Sequence, residues 1–119
     1  MKNVLIAWEL GEAFGHLARC LQLAHALLQR NCRVTLVLKD IRLPAGYQPP
    51  AGLSVIQTPH ALGSLQPRRG PQSTPINHAA LLQRCGFADP HGLADRLRVW
   101  QTIIRLVNPD RVVAEHAPT

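Results

Sequence analysis

Two short segments of this sequence carry side chains that could do acid–base chemistry. One is a turn over residues 11–15 that leads into His16, and the other is Glu115-His116. An imidazole titrates near neutral pH, so His16 could remove the proton of a substrate hydroxyl group. Glu115 could orient that imidazole, as an acid orients the histidine of a catalytic triad, if the fold brings the segments together. The alternative is that His16 only packs against its neighbours or caps a helix, and that Glu115-His116 belongs to a solvent-exposed chain terminus.

The turn is also a candidate binding site for an anion. Its glycines let backbone N–H groups approach a ligand closely, and the helix that follows carries a partial positive charge at its N-terminus. A phosphate group is favoured at such a point. The candidate substrate-binding or cofactor-binding residues are therefore Gly11, Glu12, Gly15 and His116.

A nucleotide-binding oxidoreductase is an alternative interpretation of the same turn. A dinucleotide fingerprint requires G-x-G-x-x-G, whereas Ala13 stands at the middle position and no third glycine follows. Asp40, just after the second predicted strand (residues 33–38), is where an acid would bind the ribose of such a cofactor. The Gly-Lys-Ser/Thr of a Walker phosphate loop is absent from the sequence.

Neither the cysteines nor the remaining histidines form a metal-binding pattern. Cys20, Cys32 and Cys85 are widely spaced and form no CxxC pair, so neither a disulfide framework nor a zinc site is indicated. The histidines outside the two segments lack metal-ligand spacing; they are His25, His60, His78 and His91. We therefore expect no metal ligands in this chain.

The first part of the chain must position the turn. Residues 4–8 are a continuous apolar run, which is typical of a strand buried on both faces of a parallel sheet. Apolar residues then recur with helical spacing, at Leu17, Cys20, Leu21, Ala24, Leu27 and Leu28. Asn31 is a plausible left-handed cap of that helix, and residues 33–38 predict a second buried strand. Because only a helix separates the two strands, we expect them to be parallel.

The second part of the chain must position Glu115. Residues 54–58 predict a third strand, 59–76 a long Pro/Gly-rich loop, and 76–85 a short helix. Asp89-Pro90 starts another helix and Asn108-Pro109 stops it. Its predicted apolar face comprises Leu93, Leu97, Trp100, Ile103, Ile104 and Val107, and its predicted solvent face comprises Arg96, Arg98, Gln101 and Arg105. Residues 111–114 predict a short buried strand.

This order of elements predicts the front of a doubly wound α/β fold. We expect a Rossmann-like parallel sheet with helices on both faces, in a single partial domain over residues 1–119. The helix that would cover the sheet after the last strand is missing, so we expect either a truncated chain or a partner that supplies the rest. A chain of 119 residues is too short for a two-domain enzyme.

Composition and charge narrow the possible partners. Apolar residues make up 46% of the chain, yet no run approaches the roughly 20 residues that span a bilayer, and no signal peptide is recognisable. The net charge is +6, from 13 Lys and Arg against 7 Asp and Glu. No aromatic residues interleave with these basic residues, so we expect no nucleic-acid binding. We expect a cytoplasmic protein, with peripheral membrane association left open.

Several segments together resemble the N-terminus of bacterial glycosyltransferases of the GT-B fold, including the UDP-glycosyltransferase and MurG-like groups. The resemblance rests on Trp8-Glu9-Leu10-Gly11-Glu12-Ala13-Phe14-Gly15-His16-Leu17-Ala18-Arg19, on Leu23-Ala24-His25-Ala26-Leu27 and on Arg33-Val34-Thr35. Residues 81–87 and the ending over residues 109–119 are also similar to that group. The resemblance therefore touches most of the chain.

The resemblance implies the acceptor-side half of a nucleotide-sugar-dependent transferase. The donor would be a UDP-sugar as co-substrate, and the acceptor a small molecule or a lipid. His16 would deprotonate the acceptor hydroxyl, Glu115 would support it, and no metal would be needed for transfer. The donor-binding half lies outside this chain, so activity is expected only with a donor-domain protein, as in the two-chain transferase of dolichol-linked glycan assembly. The alternative to an enzymatic function is a non-catalytic α/β binding or interaction module.

Overall fold

A computed structural model of the chain describes residues 1–11, 14–60, 79, 82 and 86–119. The candidate residue Glu12 and residues 61–76 of the predicted loop lie outside the described residues. So does most of the helix predicted over 76–85, of which only Ala79 and Leu82 are described, both as helical.

The chain divides into two compact units. One comprises Met1–Thr58 with Ile103–Thr119, and the other comprises Pro59–Thr102. The elements in chain order are β1 (Asn3–Trp8), α1 (Phe14–Gln29), β2 (Arg33–Leu38), β3 (Leu53–Gln57), α2 (Pro90–Val107) and β4 (Arg111–Glu115).

The first unit contains a four-stranded sheet in the order β3-β2-β1-β4, and every pair of neighbours is parallel. The predicted α/β class is confirmed, and this strand order is the one that opens a Rossmann-like sheet. The predicted parallel pairing of the first two strands is also confirmed, with Val4 beside Val34. Strand β1 therefore lies in the interior of the sheet, between β2 and β4.

The core of this unit is built on β1 and β2. Both strands are buried over five successive residues, because an interior parallel strand is covered on both faces. Helix α1 adds Leu17, Cys20 and Ala24, each at most 4% exposed, from the apolar stripe that the spacing predicted. The interior β-strands and this stripe form one hydrophobic cluster.

Helix α1 ends at a left-handed residue. Asn31 has φ 61°, as its type and position predicted. The N–H of Cys32 donates to the carbonyl of Leu27 (3.1 Å), and the N–H of Asn31 donates to that of Leu28 (3.0 Å). These two bonds form a Schellman motif, which satisfies carbonyl groups left without partners at the end of the helix. The motif turns the chain directly into β2.

The prediction that residues 111–114 form a buried strand is wrong in one respect. The strand exists, but it lies at the edge of the described sheet, where β1 covers only one of its sides. Val112 is 54% exposed as a result, and only Val113 and Glu115 are partly buried. A short apolar run indicates a strand, but its position in the sheet decides its burial.

The predicted faces of α2 are also partly wrong. Arg96, assigned to the solvent face, is 6% exposed, whereas Leu97 and Ile104, assigned to the apolar face, are 41% and 43% exposed. The Arg96 guanidinium lies over the ring of Phe87, 4.3 Å from its centroid. A cation–π contact and the apolar stem of arginine make such burial favourable, so the buried stripe passes through Arg96 rather than Leu97. Trp100 and Ile103 are buried, as predicted.

Candidate functional site

The sheet topology brings the two chemically promising segments to one place. Strands β1 and β4 are parallel neighbours, and Trp8 of β1 lies beside Glu115 of β4. The carboxyl ends of both strands therefore meet at one edge of the sheet. Helix α1 begins shortly after β1, so His16 in its first turn lies at that same edge.

His16 and Glu115 form a hydrogen-bonded pair. Nδ1 of His16 is 2.9 Å from Oε1 of Glu115, and the two side chains are 20% and 27% exposed. An ionised carboxylate can only accept, so Nδ1 carries the proton and Nε2 of a neutral His16 is the basic nitrogen. The bond from His16 is the main reason that the pKa of Glu115 lies below its ordinary value. The carboxylate is consequently ionised at neutral pH.

Arg19 and Cys20 complete the surroundings of this carboxylate. Nη1 of Arg19, one turn after His16, donates to the same Oε1 at 3.1 Å. Burial, together with the Glu115 charge, raises the pKa of the Cys20 thiol to about 11. Cys20 is therefore a neutral packing residue and not a thiolate nucleophile.

The His16 ring stacks with two other rings. Trp8 and His16 have centroids 5.8 Å apart, His16 and His116 have centroids 5.5 Å apart, and both pairs are inclined by 19°. The indole is itself fixed, because its Nε1–H donates to the carbonyl of Leu10 at 2.6 Å. The two stacked rings and the hydrogen bond at Nδ1 together determine the orientation of the imidazole.

The other ring nitrogen of His16 lies against Gly11. A Cβ atom built at Gly11 would overlap Nε2 of His16 and would lie 2.8 Å from its Cδ2. Gly11 also has φ 94°, which other residue types rarely adopt. Its carbonyl accepts a hydrogen bond from Nζ of Lys39 (3.1 Å), which anchors the turn to the end of β2. The absence of a side chain at Gly11 is what allows the imidazole ring of His16 to lie this close to the backbone.

Further hydrogen bonds hold the ends of β1 and β4 in place. The carbonyl of His116, a residue with φ 51°, accepts from the N–H groups of Glu9 (3.3 Å) and Leu10 (3.0 Å). The Glu9 carboxylate, 5% exposed, accepts from the backbone N–H and the hydroxyl of Thr119. The Thr58 hydroxyl donates to the carbonyl of Trp8 at 3.0 Å. These bonds connect the end of β1 with the segment that follows β4 and with Thr58.

The structure brings four of the six candidate residues together. Glu115, His116 and Gly11 each contact His16 as described above, and the chemical roles of these residues stay predictions. Gly15 is exposed, and a Cβ built on it would meet nothing within 4 Å. Asp40 binds Arg42 through both carboxylate oxygens, and these hydrogen bonds lower the pKa of Asp40 to about 2.

Sequence reasoning did not assign Trp8, Arg19 and Lys39 to the site. Trp8 and Lys39 each lie at the carboxyl end of a strand or just beyond it, which is the position where an α/β sheet lines its crevice. Arg19 follows His16 by three residues, and residues so spaced are neighbours on a helix surface. The position after a strand and the three-residue spacing on a helix are the two sequence features from which these residues could have been assigned to the site.

Within the described residues there is no group of three or more His, Cys, Asp or Glu side chains placed to hold a metal ion. No helix among them combines the length and apolar character required to cross a membrane. No protein family, curated protein or solved structure was found to match this chain.

Proposed function

We propose that this chain is the acceptor-side part of a nucleotide-sugar-dependent glycosyltransferase, with His16 as general base. The observation that supports this most strongly is the hydrogen bond from Nδ1 of His16 to Glu115, which makes Nε2 the basic nitrogen. The second support is the resemblance of the turn and the ending to the GT-B group. A UDP-sugar as donor and a small-molecule or lipid acceptor are parts of this proposal, as is a cytoplasmic location.

The proposed reaction is a direct displacement at the anomeric carbon. Nε2 of neutral His16 takes the proton of the acceptor hydroxyl while the hydroxyl oxygen forms a bond to that carbon. The bond between the anomeric carbon and the phosphate oxygen breaks, and the nucleoside diphosphate leaves with the electron pair. The imidazolium formed at His16 is stabilised by the ionised Glu115. A donor-domain protein would bind the sugar nucleotide.

The experiment measures UDP release from UDP-glucose, UDP-galactose and UDP-N-acetylglucosamine. The chain is mixed with a separately produced donor-domain protein, and a lipid extract and simple glycosides serve as acceptors. We expect His16→Ala to lower the rate by at least about a hundredfold, in the range that a positioned general base contributes. Glu115→Gln should lower it less, because His16 keeps its ring stack.

His25→Ala is the matched control. His25 lies on the same helix, but its imidazole contacts the hydroxyl of Tyr47 (2.7 Å) and not the site. This variant should retain the full rate. Turnover that His16→Ala leaves unchanged would exclude His16 as the base, and the absence of UDP release from every donor would reject the transferase function.

A further inference from the structure

Strand β4 offers an open edge within the described part of the chain. It pairs with β1 alone. Successive residues of a strand direct their N–H and C=O groups to opposite sides, so alternate residues of β4 present these groups away from β1. Such an edge is a template for one more strand, and Val112 exposes 54% of its surface beside it.

The sequence of β4 is complementary to itself when it runs antiparallel. Pairing centred on Val113 sets Arg111 opposite Glu115 of a second copy, and Glu115 opposite the second copy's Arg111. Val112 then faces Ala114 of the second copy, and Val113 faces Val113 of the second copy. Opposite charges and apolar pairs directly across two strands are favourable. A parallel pairing in register would set like charges side by side, which is unfavourable.

We propose that two copies of this chain associate through β4, antiparallel about a twofold axis at Val113. The interface is isologous, because each residue contacts its complement in both directions. The two four-stranded sheets become one continuous sheet. A strand from a different protein could occupy the same edge, but the complement at every position of β4 is supplied by β4 itself. This inference does not depend on the proposed function.

The association also concerns the site. Glu115 is the hydrogen-bond partner of His16, and the pairing sets Arg111 of the second copy across from it. The second copy therefore adds a cation near this carboxylate. A five-residue strand pair buries less than the roughly 1,200 Å² of a typical stable complex, so we expect a reversible dimer with a dissociation constant in the micromolar range.

Cysteine crosslinking tests the register. In a variant with Cys20→Ala, Cys32→Ser and Cys85→Ser, Val113→Cys should form an intermolecular disulfide on mild oxidation. Residues directly opposite have Cα atoms about 4.5–5.5 Å apart, within the range of a disulfide. Val112→Cys is the matched control, because its counterpart lies two residues along the second strand at about 8 Å, beyond that range. Circular dichroism spectra of both variants check that they fold.

Sedimentation equilibrium of the unmodified full chain tests the association itself. The wild type should show a monomer–dimer equilibrium, and Arg111→Glu should weaken it about tenfold, because two favourable charge pairs become two repulsive ones. Arg105→Glu makes the same change of charge at an exposed position of α2 and should leave the equilibrium unchanged.

Three outcomes would overturn the proposal. The first is a wild-type chain that stays monomeric at several hundred micromolar and gives no Val113→Cys disulfide. The second is a crosslink at Val112→Cys that is as efficient as the one at Val113→Cys, because the register would then be different. The third is a monomeric chain whose β4 amides gain protection from hydrogen exchange only when a donor-domain protein is added, because that protein would then be the occupant of the edge.

Discussion

Gly11 combines two constraints that only glycine meets. Its φ of 94° is unfavourable for any residue with a side chain, and its Cα lies where a Cβ would overlap the basic nitrogen of His16. The first constraint concerns the local backbone, while the second concerns the proposed reaction. The two can be separated experimentally because the chain offers a glycine that has only the first.

We expect Gly11→Ala to cost about 1–3 kcal/mol of unfolding free energy, measured by urea denaturation. Gly46→Ala is the control, since Gly46 has φ 78° and nothing within 4 Å of an added Cβ. Gly46→Ala should carry the backbone cost alone, of about 1 kcal/mol. Gly11→Ala should in addition shift the NMR signal of the His16 ring, and equal costs without that shift would contradict the close approach to Nε2.

The lowered pKa of Glu115 makes a prediction for stability against pH. A carboxyl group whose pKa is lower in the folded state than its ordinary 4.5 stabilises the fold at pH values above 4.5. That contribution is lost as the pH falls through the folded-state pKa. The difference in unfolding free energy between wild type and Glu115→Gln, followed by urea denaturation, should therefore shrink between neutral pH and about pH 3.

Asp95→Asn serves as the control for this titration. Asp95 is an exposed carboxylate of α2 that pairs with Arg98 at 3.2 Å. Because an exposed ion pair contributes little to stability, Asp95→Asn should stay within about 0.5 kcal/mol of the wild type at neutral pH. A difference between wild type and Glu115→Gln that stays constant across this range would show that the His16 bond does not favour the ionised carboxylate.

At the scale of elements, the end of α1 depends on one residue. Asn31→Ala places alanine at φ 61°, where a Cβ atom is unfavourable and where alanine lacks the local hydrogen bonding of asparagine. We therefore expect the unfolding free energy to fall by about 1 kcal/mol, measured by thermal or urea denaturation. Asn31→Gly should be neutral or slightly stabilising. Gln29→Ala, an exposed change in the last turn, should stay within about 0.5 kcal/mol of wild type. Equal stability of the Ala and Gly variants would contradict the role of the Schellman motif.

Helices and strands with a clear hydrophobic pattern were predictable from the sequence, but the burial of individual side chains was less predictable. The run over residues 4–8 and the stripe of α1 depend on the hydrophobic pattern alone, and both lie where expected. The burial of Arg96 depends on the ring of Phe87, and the exposure of Val112 depends on the position of β4 in the sheet. Such facts arise from tertiary neighbours, which a local pattern does not contain.

The candidate site was predictable to a similar degree. The rule that parallel strands share one carboxyl edge was sufficient to suggest that His16 and Glu115 are close. The stack of Trp8 and His116 on His16 could not be predicted, because it requires ring orientations. Gly11 was expected to admit a ligand through its backbone, whereas the structure places it beside a ring nitrogen.

At the scale of the whole molecule, β1 serves the core and the site together. It is the interior strand that pairs with both β2 and β4, and its last residue, Trp8, stacks on His16. Substitutions in the middle of β1, such as Ile6→Ala, should therefore disrupt the site as they destabilise the fold. We expect a cost of about 2–5 kcal/mol for that change in urea unfolding, because Ile6 is only 1% exposed.

The two tryptophans fall one in each compact unit, Trp8 in the first and Trp100 in the second. Single-tryptophan variants would thus give each unit its own fluorescence signal. Trp8 also reports on the site, because a protonated imidazole that is stacked on an indole quenches the fluorescence of the indole. In a Trp100→Phe background, the emission of Trp8 would follow the protonation of His16 as an optical titration, in the absence of any substrate.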